Sequence, residues 1–261
     1  MEKDGGKSTV SRRIKIIESL KTYGQVNVND LSESLGVTGV TIRNDLAQLE
    51  KKGILIRARG GAIKIEQNFA DEDYPLSDKQ KKHLFEKREI GKRAAELIEE
   101  NNRIIIDSGS TTYELAKNLK KFNDLTVITN ALNVALILAE YHNINVIVPG
   151  GILKKNSLSL VGILAEIGFK DYFCDKLFLG VDGFDLDFGI STPDPEEAHL
   201  NQIMIGISKE VIVVTDSSKF QRRGFAFIAP VNKINTVVTD NGILPENKIK
   251  LEKLGVKVII A

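Results

Sequence analysis

The rear two thirds of the sequence alternate short Val- and Ile-rich runs with stretches of helical character, and no other feature restricts the fold as much. The runs are "RIIID", "LTVITN", "INVIVPGG", "KLFLGVDGFD", "EVIVVTDSS", "TVVTD" and "VKVIIA"; among them fall "TTYELAKNLKKF", "ALNVALILAEYH" and "PEEAHLNQIMIGIS". A strand that is apolar at consecutive positions is buried on both faces, and strand–helix alternation supplies the crossovers a parallel sheet needs. The expected fold is an α/β domain, its mostly parallel sheet covered by helices on both sides. Ligands of such sheets collect beyond the C-terminal strand ends.

Asp107, Ser108, Gly109, Ser110, Thr111 and Thr112 follow the first run and lead into a helix. Converging N–H groups and hydroxyls there suit a phosphate, although the same residues also make an ordinary N-cap. Other strand ends add Asn130 and Asn133, Gly150, Gly151 and Lys154, Asp182 and Asp185, and Asp216 and Lys219. Asn and Asp can hydrogen-bond sugar hydroxyls, and Lys can neutralise a phosphate. The competing structural roles are turns for Asn130, Asp185 and the glycines, and a solvated charge for Lys154.

The front of the chain has a different pattern. From Ser11, Ile14, Ile17 and Leu20 repeat at three-residue steps until Gly24, which predicts a helix with those residues inward. "VNVNDLSESLG" predicts a short second helix with Asn29 as N-cap and Leu31 and Leu35 on one face, closed by Gly36. In "TGVTIRNDLAQLEKKG", Ile42, Leu46 and Leu49 form a buried stripe. The opposite surface, with Thr38 just ahead of it, carries Val40, Thr41, Arg43, Asn44, Gln48 and Lys51. "ILIRARGGAIKI" then reads as a hairpin around Arg59, Gly60 and Gly61, with Arg57 and Lys64 along it. Any one of these polar side chains alone reads as a solvated face. Helix, short helix, turn, helix and basic hairpin in that order describe a winged helix-turn-helix: the third helix enters the major groove and the wing arginines reach phosphates or the minor groove of double-stranded DNA.

Charge agrees with that division. Residues 1–65 hold 12 Lys and Arg against 7 Asp and Glu, although the whole chain has a formal net charge of only +1. Between the halves, "KIEQNFADEDYPLSDKQ" lacks periodicity and contains Pro75. The expected domains are a DNA-binding domain over 1–65, a linker over 66–77 and a ligand domain over 78–261. The last opens with one long amphipathic helix from Asp78 to about Asn101, with Ile90, Ala94, Leu97 and Ile98 on its apolar side. Cys174 is the only cysteine, which excludes an intrachain disulfide and removes the clusters of structural zinc; no metal and no cofactor is expected. Without a secretory leader or a run of ~18 apolar residues, the expected setting is the cytoplasm, away from membranes.

"VNDLSESLGVTGVTIRNDLAQLEKKGILIRARGGA" resembles the N-terminal signature of the DeoR family of bacterial transcription regulators, with Asn44 where many members carry a second Arg. The "TIRNDL" variant is similar to the branch that controls N-acetylgalactosamine and related amino-sugar operons. The rear half resembles the family's sensor domain, whose fold is similar to that of ribose-5-phosphate isomerase and related sugar-phosphate enzymes. This resemblance implies a phosphosugar ligand, with "SGSTT" as phosphate loop, Asp182 as a sugar contact and Lys219 in the same pocket.

The competing expectation is a phosphosugar isomerase or deaminase tethered to DNA. Isomerisation needs a base beside the substrate carbon. The isomerases place it a few residues beyond the glycine-rich strand end, where "PGGILKKNSLSLVG" has no acid. His83, His142 and His199 are scattered and pair with no nucleophile. "PDPEEAHL" is expected from capping alone, with Glu197 kept as a candidate to face the pocket. The sequence therefore favours a non-enzymatic regulator: a repressor that binds operator DNA as a dimer or tetramer and answers to a phosphorylated sugar.

Overall fold

The Val- and Ile-rich runs enter one sheet because each has two apolar faces to cover. In the computed structural model, which describes residues 9–23, 25–51, 55–58, 60–64 and 74–261, the chain divides into two units, Met1–Asn68 and Phe69–Ala261.

The first unit contains α1 (Thr9–Tyr23), β1 (Gln25–Asn27), α2 (Val28–Leu35), α3 (Gly39–Lys51), β2 (Leu55–Ala58) and β3 (Gly61–Lys64). Its core joins Ile16 and Leu20 to Val28, Leu31, Leu35, Ile42, Leu46, Leu49, Leu55 and Ala62. The inward stripe of α1 thus differs from the expected one: Ile16 and Leu20, four apart, are buried, whereas Ile14 is 50% exposed. The N-cap of α2 is Asn27 and not Asn29; its side chain accepts the N–H of Asn29. Gly36 ends α2 with a left-handed φ of 65° and donates its N–H to Glu33 and Ser32. The hairpin gains a third strand that sequence reasoning missed, giving an antiparallel sheet in the order β1-β3-β2. Gly61 makes that pairing possible, since a Cβ there would run into the Val26 carbonyl.

The second unit opens with α4 (Leu76–Lys81) and α5 (Leu84–Ala95), followed by β4 (Arg103–Ile106), α6 (Ser110–Ala116), β5 (Leu125–Ile128), α7 (Leu132–Leu138) and β6 (Ile144–Ile147). A hairpin of β7 (Ile152–Lys154) and β8 (Ser159–Val161), then α8 (Ile163–Lys170), leads to β9 (Cys174–Leu179), β10 (Gly183–Asp185), β11 (Gly189–Thr192), α9 (Pro195–Gly206) and β12 (Ser208–Val214). The chain closes with β13 (Ala226–Ala229), β14 (Thr236–Thr239), α10 (Pro245–Lys253) and β15 (Lys257–Ile260).

Seven strands form a parallel sheet in the order β15-β14-β12-β9-β4-β5-β6. Successive residues alternate between two cores. Ile105, Leu177, Val211, Val213 and Val237 enter one; Ile104, Ile106, Phe178, Ile212, Val214 and Val238 enter the other. From β4 the chain builds outward through β5 and β6, then returns to lay β9 on the other flank of β4. Such a reversal opens a crevice at the C-terminal strand ends. The β10-β11-β13 sheet is separate and antiparallel, so the run "KLFLGVDGFD" is two strands broken at Gly180–Asp182.

The single helix expected over 78–101 is also two helices. Lys82 is extended and His83 takes a left-handed φ of 53°. Tertiary hydrogen bonds stabilise the break: Lys87 Nζ donates to the carbonyls of Lys79 at 2.5 Å and Lys82 at 2.6 Å. Gly91 lets α5 lie against α6, because a Cβ there would stand 2.6 Å from the backbone of Glu114 and Leu115.

Candidate functional site

Each unit carries one candidate surface. On the first, burying Ile42, Leu46 and Leu49 turns Val40, Arg43, Asn44 and Gln48 outward, with Thr41 partly covered. Thr38 is exposed and also caps α3, its Oγ1 accepting the Thr41 N–H at 3.3 Å and lying 3.0 Å from Thr41 Oγ1. Arg57 is exposed on β2 and donates its N–H to Glu50 at 3.0 Å. Arg59 and the Lys51 side chain lie outside the described residues, as does most of the expected linker.

Asp45, absent from the sequence-based candidates, anchors this surface from behind. It sits almost fully buried, 2.5 Å from the Arg12 guanidinium and 2.8 Å from that of Arg13. Burial alone would raise its carboxyl, but the hydrogen bonds and charge of the two arginines hold it below the usual range. This pair of ion pairs ties α1 to α3 and fixes how the exposed face is presented.

The second unit holds a cavity where β4, β9 and β12 end. Asp107, Ser108, Gly109, Ser110 and Thr111 line it after β4, Asp182 after β9, and Asp216 and Lys219 after β12. Of the other expected pocket residues, Thr112, Asn130, Asn133, Gly150, Gly151, Lys154 and Asp185 do not line it. Thr112 is buried and donates its hydroxyl to Gly109 O at 3.1 Å, closing the turn. Asn130 is buried elsewhere, its Oδ1 without a hydrogen-bond partner among the described residues. Gly151 is packed against the backbone of Val161, where a Cβ would come within 2.6 Å. Lys154 instead binds Asp194 at 2.6 Å and Glu196 at 2.7 Å, which raises its pKa; its β7 strand belongs to a hairpin and not to the large sheet.

Sequence reasoning missed Lys79, Lys87, Asn201 and Thr192, all of which line the cavity. One signal was available: Lys87 stands three residues before Ile90 and seven before Ala94, so a lysine occupies the apolar stripe of α5. The charges of the cavity are closely matched. Lys79 Nζ lies 3.0 Å and Lys219 Nζ 3.4 Å from the Asp182 carboxylate, with Thr192 Oγ1 at 3.5 Å. Burial opposes ionisation of Asp182, and the two ammoniums overcome it and keep the carboxyl below its ordinary range. For Lys87 burial prevails, helped by the charges of Lys219 and Lys79 against those of Asp216 and Asp182, and its pKa falls to about 8.

Two further acids belong to the cavity, Asp107 after β4 and Glu197 from α9. Asp107, 3% exposed, accepts the Gly180 N–H at 3.3 Å. Burial, then the charge of Glu197, pushes its pKa up to about 8 despite hydrogen bonds from Ser108, Asn201 and Gly180. Glu197, in the first turn of α9, lines the cavity and accepts the Ser159 hydroxyl at 2.7 Å; burial raises its pKa too. The acids of the cavity thus come from β4, the end of β9 and α9, and none from the glycine-rich "PGGILKK" end. Burial and the Glu197 charge both favour the protonated form of Asp107, which lessens its repulsion of an anion beside Ser108–Thr111. Among the described residues, no group of three or more His, Cys, Asp or Glu could hold a metal ion.

The model of the DeoR-like helix-turn-helix domain matches residues 12–68, and that of the DeoR C terminal sensor domain matches residues 82–241. The chain belongs to the DeoR family. It is a DNA-binding transcriptional regulator with a C-terminal sensor domain. The "Putative aga operon transcriptional repressor" of Escherichia coli O157:H7 is 42% identical over 252 residues, 97% of this chain and 94% of that one. The HTH-type transcriptional regulator GolR of Listeria innocua is 34% identical, covering 96% and 98% of the two chains. The ribose 5-phosphate isomerase A of Methanocaldococcus jannaschii overlaps 51% of this chain and 53% of its own at 16% identity and a TM-score of 0.38, a likeness too distant to bear on activity. No helix among the described residues is long and apolar enough to cross a membrane.

Proposed function

We propose that the chain represses an amino-sugar catabolic operon and that a phosphorylated sugar relieves the repression. DNA binding is assigned to residues 1–65 and sensing to 78–261, joined by a linker over 66–77. One observation carries the effector reading: Ser108, Ser110 and Thr111 share a cavity with Lys87, Lys219 and Asp182. Hydroxyls and ammoniums there suit a phosphate, and a carboxylate among cations suits sugar hydroxyls. The amino-sugar assignment draws on the E. coli relative. Effector acts by binding one arrangement of the regulator better than another. The protein works as a homodimer or homotetramer in the cytoplasm, since helix-turn-helix proteins read repeated half-sites.

The test is release of operator DNA at fixed salt, titrated with galactosamine 6-phosphate, N-acetylgalactosamine 6-phosphate and tagatose phosphates. Ser110→Ala or Thr111→Ala abolishes release with DNA affinity intact; unchanged release in both variants removes the loop from the site. On the DNA side, Arg43→Ala costs about 1–3 kcal/mol and relaxes base preference, whereas Arg57→Ala weakens all sequences alike and reduces the salt slope by about 1. The same loss of specificity from both would contradict these roles.

A second reading, phosphosugar isomerase or deaminase chemistry, is favoured by a single observation: two buried acids, Asp107 and Glu197, face the same cavity with raised pKa values. Turnover of a panel of aldose and ketose phosphates that Asp182→Asn abolishes would establish it in place of sensing.

A further inference from the structure

The cavity is too small for the ligand its walls suit. It encloses about 50 Å³, enough for a few waters, whereas small-molecule sites measure roughly 300–1,000 Å³. Part of the space is taken by α4. Leu76 is buried and donates its N–H to Asn156 O at 2.6 Å. One turn later Lys79 reaches Asp182 at 3.0 Å, and Lys87 holds the far end of α4 through the carbonyls of Lys79 and Lys82. Six residues are too few to form a stable helix by themselves. The seat of α4 therefore depends on these contacts, and one of them uses the carboxylate that a sugar would use.

We propose that α4 is a built-in competitor of the effector. Lys79 and the hydroxyl groups of a phosphorylated sugar claim the same Asp182, so the ligand enters only as α4 leaves its seat. In sequence α4 stands between the sensing sheet and the residues leading to the DNA-binding unit. The proposal rests on the effector reading above and gives it a direction: Lys79 lines the cavity and opposes binding there.

The test compares the full-length wild type with Lys79→Met, which keeps the aliphatic stem, and Lys79→Arg, which keeps the charge. Amide hydrogen exchange over Leu76–Lys81 is read with and without galactosamine 6-phosphate and N-acetylgalactosamine 6-phosphate, alongside calorimetric affinities at fixed salt. In the wild type, ligand should speed exchange of α4. Lys79→Met should speed it without ligand and tighten ligand binding by about tenfold, the factor expected if the seated form outnumbers the open one roughly ten to one. Lys79→Arg should stay close to wild type. Weaker binding by Lys79→Met makes Lys79 an ordinary ligand contact and overturns the proposal, as does ligand-induced slowing of α4 exchange. If neither sugar phosphate binds any form, the effector reading fails by itself. The ligand-free comparison then decides the competitor: unchanged α4 exchange in Lys79→Met refutes it, and faster exchange upholds the Lys79 anchor.

Discussion

Replacing Asp107 by Asn should change how the stability of the protein depends on pH. The carboxyl has an ordinary pKa of 3.8 and is pushed up to about 8 in the fold. Above ~pH 4 the unfolded chain is ionised at this position and the native chain is not, so stability falls as pH rises from ~4 to ~8 and levels off beyond. At pH 7 the native state holds close to one extra proton, a slope of about 1 kcal/mol per pH unit. For a unit of this size 1 kcal/mol moves the thermal midpoint by ~2–4 °C, so this group alone lowers it by roughly 2–4 °C per pH unit near neutrality. Asn cannot ionise and keeps an oxygen for the Gly180 N–H. The assay is the thermal midpoint of wild type and Asp107→Asn between pH 5.5 and 8, where the difference curve isolates this residue from other titrating groups. The variant should gain on the wild type steadily as pH rises. Parallel curves would mean that Asp107 is already ionised in the native state, and the account of a proton-bearing group beside Ser108–Thr111 would be wrong.

Two further substitutions test how the scaffold holds the sites. Asp45→Ala leaves the guanidiniums of Arg12 and Arg13, 12% and 26% exposed, without their carboxylate. Because the arginines reach solvent, the loss should be about 2 kcal/mol rather than the ~3–5 of a fully buried pair. Asp45 has a lowered pKa, so its contribution is complete above ~pH 4 and disappears as pH falls through the native value; denaturation of both forms at neutral and acid pH checks this. Gly91→Ala drives a methyl into the backbone of Glu114 and Leu115, and overpacking of this kind costs about 1–3 kcal/mol. The melting curve reads that loss, and weaker effector binding should accompany it because α6 carries Ser110 and Thr111.

The parts of this fold that were legible in the sequence are those whose cause is local. Consecutive apolar residues such as Ile104, Ile105 and Ile106 announce a strand with two cores to fill, and Ile42, Leu46 and Leu49 fix the inward side of α3. What escaped was set by distant partners. Nothing in "DKQKKHLFEK" breaks a helix; the break at Lys82 and His83 depends on where the Lys87 ammonium ends up. β1 is three residues long, too short for any periodicity, and exists because Gly61 admits it. Lys154 follows the end of β6, which makes it a pocket candidate, but it lies on β7, which pairs in a hairpin and delivers it to Asp194. Glu197 had two readings in the sequence, a capping residue in the first turn of α9 and a candidate to face the pocket, and the fold gives it the second place as well as the first.

Sealing both faces of the seven-stranded sheet also limits how a bound molecule can be reported. A slab packed on two sides resists deformation, so occupancy has to be expressed at the rim, where pieces are held by a few polar contacts. Identity and threshold are then set by different residues. On the reading proposed above, side chains at the strand ends, Ser108, Ser110, Thr111 and Asp182, would decide which molecule fits, while the grip of Lys79 on Asp182 and of Lys87 on α4 would decide how much of it is needed. A regulator built this way can be retuned to a scarcer or more abundant signal by changing one lysine, with its chemical preference left as it was.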